Sequence, residues 1–115
     1  MPQNGLPPAL TRNLRLPAIA APMFLVSGPE MVIAASRAGV IGSFPAPNAR
    51  TSADLEDWVI RIDAALSQDP DAAAWAVNLV VHPSNSRLAE DLACVVRHKV
   101  PLVITALGSP ARVVE

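Results

Sequence analysis

The chain has no tyrosine, a single cysteine and only four aromatic residues, Phe24, Phe44, Trp58 and Trp75. A lone Cys94 cannot close an internal disulfide, which excludes a disulfide scaffold. With so few rings the core must be built from Ala, Val, Leu and Ile, small aliphatic side chains that suit helices layered on a sheet. Charge is sparse as well: charged residues make up 17% and the formal net charge is −1, with the basic residues scattered. That distribution gives no electrostatic footprint for a polyanion, so nucleic acid is excluded as an expected partner. Long apolar runs are also missing, since proline or polar residues break every apolar segment before the roughly 20 residues that a bilayer-spanning helix needs. Residues Met1 to Asn13 carry Pro and Asn and lack the apolar core of a secretory signal. A cytoplasmic location with no membrane partner follows as the default expectation. No metal-ligand spacing, Gly-rich phosphate loop or Cys/His nucleophile pair is legible.

What the sequence does contain is 51% hydrophobic residues, the composition of a core-forming domain. From Leu16 onward short apolar runs alternate with segments of helical period, and turn or capping residues mark each junction. The first run, Leu16 to Met23, reads as a strand closed by Pro22. Ser27, Pro29 and Glu30 have the chemistry of a helix start, and Gly39 that of its end. Val40 to Phe44 reads as a second strand, and Pro45-Ala46-Pro47-Asn48 as a loop. Thr51 or Ser52 can cap a helix whose apolar positions Leu55, Trp58, Val59, Ile62 and Leu66 follow one face. Its other positions, Asp54, Glu56, Asp57 and Arg61, read as a solvated face. Trp75 to Val81 is a third strand, apolar on both faces as parallel strands are. Leu88, Leu92, Val95 and Val96 form the stripe of a third helix ending at Arg97-His98-Lys99. Val100 to Ala106 is a fourth strand, and Ser109-Pro110 starts another helix.

Four parallel strands alternating with three helices, plus the start of a fourth, are about half of a TIM (β/α)₈ barrel, which takes roughly 250 residues. The expected fold is therefore α/β, the amino-terminal half of such a barrel: an extension over residues 1–15, then the first four βα units over 16–115, truncated before closure. The alternative is a small complete open sheet of flavodoxin-like order acting as a binding domain.

In a barrel the carboxyl ends of the strands and the following loops build the active site. Those positions hold Ala21, Pro22 and Met23 after the first strand, Ser43 after the second, Asn78 with His82 after the third, and Thr105 after the fourth. Asn78 interrupts an otherwise apolar run, where an unpaired amide costs about 1–3 kcal/mol, so something polar must face it. A neighbouring backbone group satisfies that requirement as readily as a ligand does. His82 is the candidate for proton transfer, with no positioned partner legible in the sequence. Gly39, Gly42 and Gly108 are structural punctuation.

From about Leu16 to Glu115 the sequence resembles the nitronate monooxygenase family, also called 2-nitropropane dioxygenases. The resemblance is carried by Pro17-Ala18-Ile19-Ala20-Ala21-Pro22-Met23, by the stretch from Glu30 to Ser43 and by Ala76-Val77-Asn78-Leu79. It implies a TIM-like barrel binding FMN noncovalently, with the turn at Ala21-Pro22-Met23 beside the flavin ring and Asn78 bonding the cofactor. The reaction implied is oxidation of an alkyl nitronate by O₂ to a carbonyl compound and nitrite, so the expected partner is a small nitronate or nitroalkane. The catalytic histidine and phosphate-binding glycines of that family lie in its second half, so no residue here inherits those roles, and this segment alone is expected to be inactive. The segment Val81 to Asn85 departs from the family pattern. Flavin-dependent enoyl-acyl-carrier-protein reductases share much of it and are the second enzyme reading. Use of NAD(P)H and assembly into a homo-oligomer stay open.

Overall fold

The chain carries three parallel strands in sequential order, β1 (Gly42–Pro45), β2 (Trp75–Val80) and β3 (Leu102–Ala106), with β2 in the middle. The computed structural model describes residues 5–114; the first four residues of the expected extension and Glu115 lie outside the described residues. A short α1 (Pro8–Thr11) and α2 (Pro29–Ala38) precede β1, α3 (Ser52–Ser67) joins β1 to β2, and α4 (Leu88–Arg97) joins β2 to β3. A 3₁₀ turn, η1 (Ala46–Asn48), follows β1, and α5 (Ala111–Val114) follows β3.

The α3 helix forms for the reasons its sequence displays. The Thr51 hydroxyl accepts the Asp54 N–H at 3.0 Å, satisfying one of the donors that every helix start leaves free. Leu55, Val59, Ile62 and Leu66 then bury a continuous stripe, each contributing about 1.5–3 kcal/mol relative to exposure. Gly39 ends α2 in the left-handed conformation at φ 92°, where a side chain is strained.

Pairing joins Gly42 to Trp75, Phe44 to Val77 and Val77 to Val103. Since side chains alternate along each strand, these residues share one face, and they belong to or pack on a single apolar cluster with Val32, Leu55, Val59, Ile62, Leu88, Cys94 and Val95. Helices α2, α3 and α4 thus cover the same face side by side. The Phe44 and Trp58 rings meet edge to face at 5.4 Å, a favourable geometry for two quadrupoles. The opposite face carries Ser43, Pro45, Ala76, Asn78, Val80, Leu102, Ile104 and Ala106. Because β1 and β2 are direct neighbours, no earlier strand lies between them as flavodoxin-like order requires.

Several sequence expectations are corrected in detail. The first strand, expected over Leu16–Met23, is reduced to one parallel bridge between Ile19 and Ile41. Pro17 and Pro22 lack the amide donors that a longer ladder would use. Ser27 does not cap α2: the cap residue is Gly28, with no side-chain hydrogen bond, and the Ser27 hydroxyl instead accepts the Met23 N–H at 2.8 Å. Val96 is 67% exposed, and Asp91 occupies the buried stripe of α4 in its place. The extension is not featureless, because α1 with Leu6, Leu10 and Leu14 encloses an apolar cavity of about 390 Å³ against Ile19, Ile41 and Leu102. Asn13 fastens it by donating to the carbonyls of Pro70 and Ala72.

Glu56 also departs from its reading as a solvated side chain. It is half-buried and accepts hydrogen bonds from His98 at 2.8 Å and Arg97 at 2.6 Å, tying α3 to α4. Those bonds, the His98 one first, hold its carboxyl below the usual carboxylate range. A carboxyl depressed in the folded state stabilises it above the unfolded value of 4.5 and loses that contribution as pH falls through the folded value. The thermal midpoint of Glu56→Gln is therefore expected below wild type at neutral pH, the gap closing as the pH falls below the unfolded value and through the folded one. A gap that persists unchanged at acid pH would mean that the carboxylate charge plays no part.

Candidate functional site

The open face of the sheet gathers the residues of interest at the carboxyl ends of the strands. Asn78 pairs with Pro45 on one side and with Ile104 on the other. Its side chain lies on this face and is 7% exposed. The Nδ2 group donates to the Ile104 carbonyl at 2.9 Å, so a neighbouring strand supplies the polar partner that the sequence demanded. Among the described residues nothing donates to Asn78 Oδ1, and that atom is not sealed from solvent.

Ser43 lies level with Ala76 on the same face and is buried. Its hydroxyl donates to the Ala20 carbonyl at 2.5 Å, while the Ala20 N–H donates to the Ile41 carbonyl at 2.8 Å. Ser43 is therefore a tie between the strands. The segment after the Ile19–Ile41 bridge leads toward the same end of the sheet as Asn78, with β1 between them. Ala21 and Met23 are exposed and Pro22 half-buried.

Thr105 is not part of this group. It pairs with Leu79, so alternation places its side chain on the helix-covered face, opposite Asn78. His82 follows β2 at the same end but turns back on its own loop. Its Nδ1 accepts the Ser84 N–H at 3.1 Å and meets the Ser84 hydroxyl at 2.8 Å. A nitrogen that accepts cannot carry the proton, so the neutral ring is protonated at Nε2. Among the described residues no carboxylate bonds it.

Two features of this end escaped the sequence reading. Asn48, placed in an irregular loop by composition, bonds three backbone groups of the loop after the first strand. Arg87 donates to the Ala49 carbonyl at 2.8 Å and to Asp91 at 3.2 Å, and the Ser52 hydroxyl donates to Asp91 at 2.9 Å. This buried network joins the turn after β1 to the starts of α3 and α4. The only signals were an asparagine after Pro-Ala-Pro and an i, i+4 Arg–Asp pair, and neither reveals which backbone lies within reach. Cys94 is buried, and burial pushes its thiol up, the opposite of an activated nucleophile.

Chemically, the open face offers one free amide oxygen among small and aliphatic side chains, and none of its residues titrates. It can bind and orient a ligand; it holds no acid or base of its own. Among the described residues no group of His, Cys, Asp and Glu could hold a metal ion, and no helix is long and apolar enough to cross a membrane. No protein-family model matches the chain, and no curated protein matches it.

Proposed function

We propose that this chain forms the first arc of a (β/α)₈ barrel, and that its open face is part of the FMN site of an oxidoreductase of the nitronate monooxygenase type. The observation that carries the reading is the position of Asn78. A nearly buried amide with an unused oxygen stands on the face away from α2, α3 and α4, at the end of the sheet toward which the Pro22–Met23 bend leads. Sequential strand order with α2, α3 and α4 together on one face supports the barrel over a doubly wound sheet.

These residues fit a flat heteroaromatic ligand. Asn78 Oδ1 would be available to bond the ring edge, and the backbone of Ala21 to Met23 would flank it. When bound, FMN supplies the redox chemistry, and the protein supplies position and electrostatics. This segment binds and orients; with no titratable group on the face, proton transfer falls to residues elsewhere. The substrate class is an alkyl nitronate oxidised by O₂, and a soluble protein of the cytoplasm is the setting proposed.

The test is FMN titration of the full-length protein, followed by nitrite release from an alkyl nitronate. Asn78→Leu, which keeps the volume and removes the amide, is expected to weaken FMN binding about tenfold, the worth of one good hydrogen bond to a buried partner. A colourless protein that takes up no FMN sinks the proposal. Nicotinamide-driven reduction of an enoyl thioester without nitrite release would move the activity to the enoyl-reductase reading and leave the flavin site standing.

A further inference from the structure

The segment Met23 to Val26 is apolar in sequence and yet lies at the surface. Phe24, Leu25 and Val26 are 66%, 79% and 62% exposed, so little apolar packing holds their backbone. Leu25 also sits at φ 64°, a left-handed conformation that a branched side chain keeps only when its surroundings impose it. Two backbone bonds close the turn, from the Val26 and Ser27 N–H groups to the Met23 carbonyl at 3.1 and 3.0 Å, and the polar contacts that tie it to the rest of the chain come from one side chain. Asn48 Nδ2 donates to the carbonyls of Met23 at 3.0 Å and Ser27 at 2.9 Å, and its Oδ1 accepts the Leu25 N–H at 2.9 Å. Asn48 therefore meets the bend at its start, middle and end. The Ser27 hydroxyl closes the ring by accepting the Met23 N–H. Asn48 is itself placed by η1, which leaves β1 directly after Pro45, the register partner of Asn78. The bend is thereby referenced to the same sheet end as the amide.

We infer that Asn48 is a positioning residue, acting through the Met23–Ser27 backbone to hold the bend beside the open face in the one shape a flat ligand can lie against. The inference rests on the flavin-binding reading and adds to it a side chain that need not touch the ligand. Preorganisation of this kind raises affinity because the loop is ordered before the ligand arrives. Removing it leaves the face intact and the bend free to open.

The experiment compares full-length wild type with Asn48→Ala, Asn48→Asp and a core control, Ile62→Val. The three readouts are chymotryptic cleavage after Phe24 and Leu25, FMN affinity by fluorescence quenching, and the thermal midpoint. Asn48→Ala is expected to be cut about tenfold faster in the loop, since cleavage follows local opening, and to bind FMN about tenfold more weakly. Asn48→Asp keeps the acceptor for Leu25 and loses both donations, so it should fall between. Ile62→Val should lower the midpoint without changing loop cleavage or FMN affinity. Unchanged loop cleavage in Asn48→Ala overturns the inference, as does a core control that moves all three readouts together. FMN uptake that survives Asn48→Ala unaltered overturns this inference alone, whereas wild type that takes up no FMN overturns the flavin reading and the inference with it.

Discussion

Substituting Gly42 by alanine is expected to lower the thermal midpoint by on the order of 10 °C, a large loss from a single methyl group. An ideal Cβ at this position would lie 2.5 Å from the Val32 carbonyl oxygen and 2.8 Å from the Val32 Cα. Both atoms belong to the backbone of α2, so no side-chain rotation relieves the overlap. The helix must lift from β1, opening the cluster around Val32 and Phe44, both of which are fully buried. Overpacking of this sort costs about 3 kcal/mol, a large share of the roughly 5–15 kcal/mol that stabilise a domain. Thermal unfolding followed by circular dichroism checks it. A midpoint within about 2 °C of wild type would mean that α2 does not rest on β1 as described.

The second large effect is expected at Asp91. This carboxylate is 2% exposed, and it accepts from both the Ser52 hydroxyl and the Arg87 guanidinium. Asp91→Ala would leave Arg87 with the Ala49 carbonyl as its remaining partner, while its Nε is already buried without one. Breaking one side of a buried pair costs about 3–5 kcal/mol; because the Arg87 side chain is 26% exposed and can turn toward water, the lower end is expected. The pair itself is worth much less than either single deletion implies. The double variant Arg87→Met with Asp91→Leu should recover most of the loss, and chemical denaturation of wild type, Arg87→Met, Asp91→Leu and the double variant in a double-mutant cycle measures the coupling. Additive losses would show that the two side chains do not depend on each other.

The parts legible in the sequence were those governed by local periodicity. The α3 helix, its Thr51 cap and its stripe of Leu55, Val59, Ile62 and Leu66 follow from spacing alone, and β2 and β3 follow from apolar runs that only Asn78 and Thr105 interrupt. The first strand was overestimated because its apolar composition outweighed Pro17 and Pro22, whose missing amides leave only the Ile19 bridge. Ser27 had the chemistry of a cap, but a hydroxyl bonds whichever amide is nearest, and the reversing loop brings the Met23 N–H to it. In α4 the stripe was drawn through Val96, whereas Arg87 and Ser52 make burial of Asp91 tolerable, and only tertiary structure brings Ser52 there. Thr105 was grouped with Asn78 because both end strands; the pairing of Thr105 with Leu79 turns it to the other face. Asn48 was invisible for a related reason: its three partners lie 21 to 25 residues away.

Anchoring the Asn78 nitrogen to the Ile104 carbonyl also fixes the sense of the site. An amide free to flip presents either atom at either place, but one held through an N–H keeps its oxygen as the unpartnered acceptor and leaves one N–H over on the nitrogen. Under the proposed reading, a ligand group carrying N–H or O–H is the one that Oδ1 would favour.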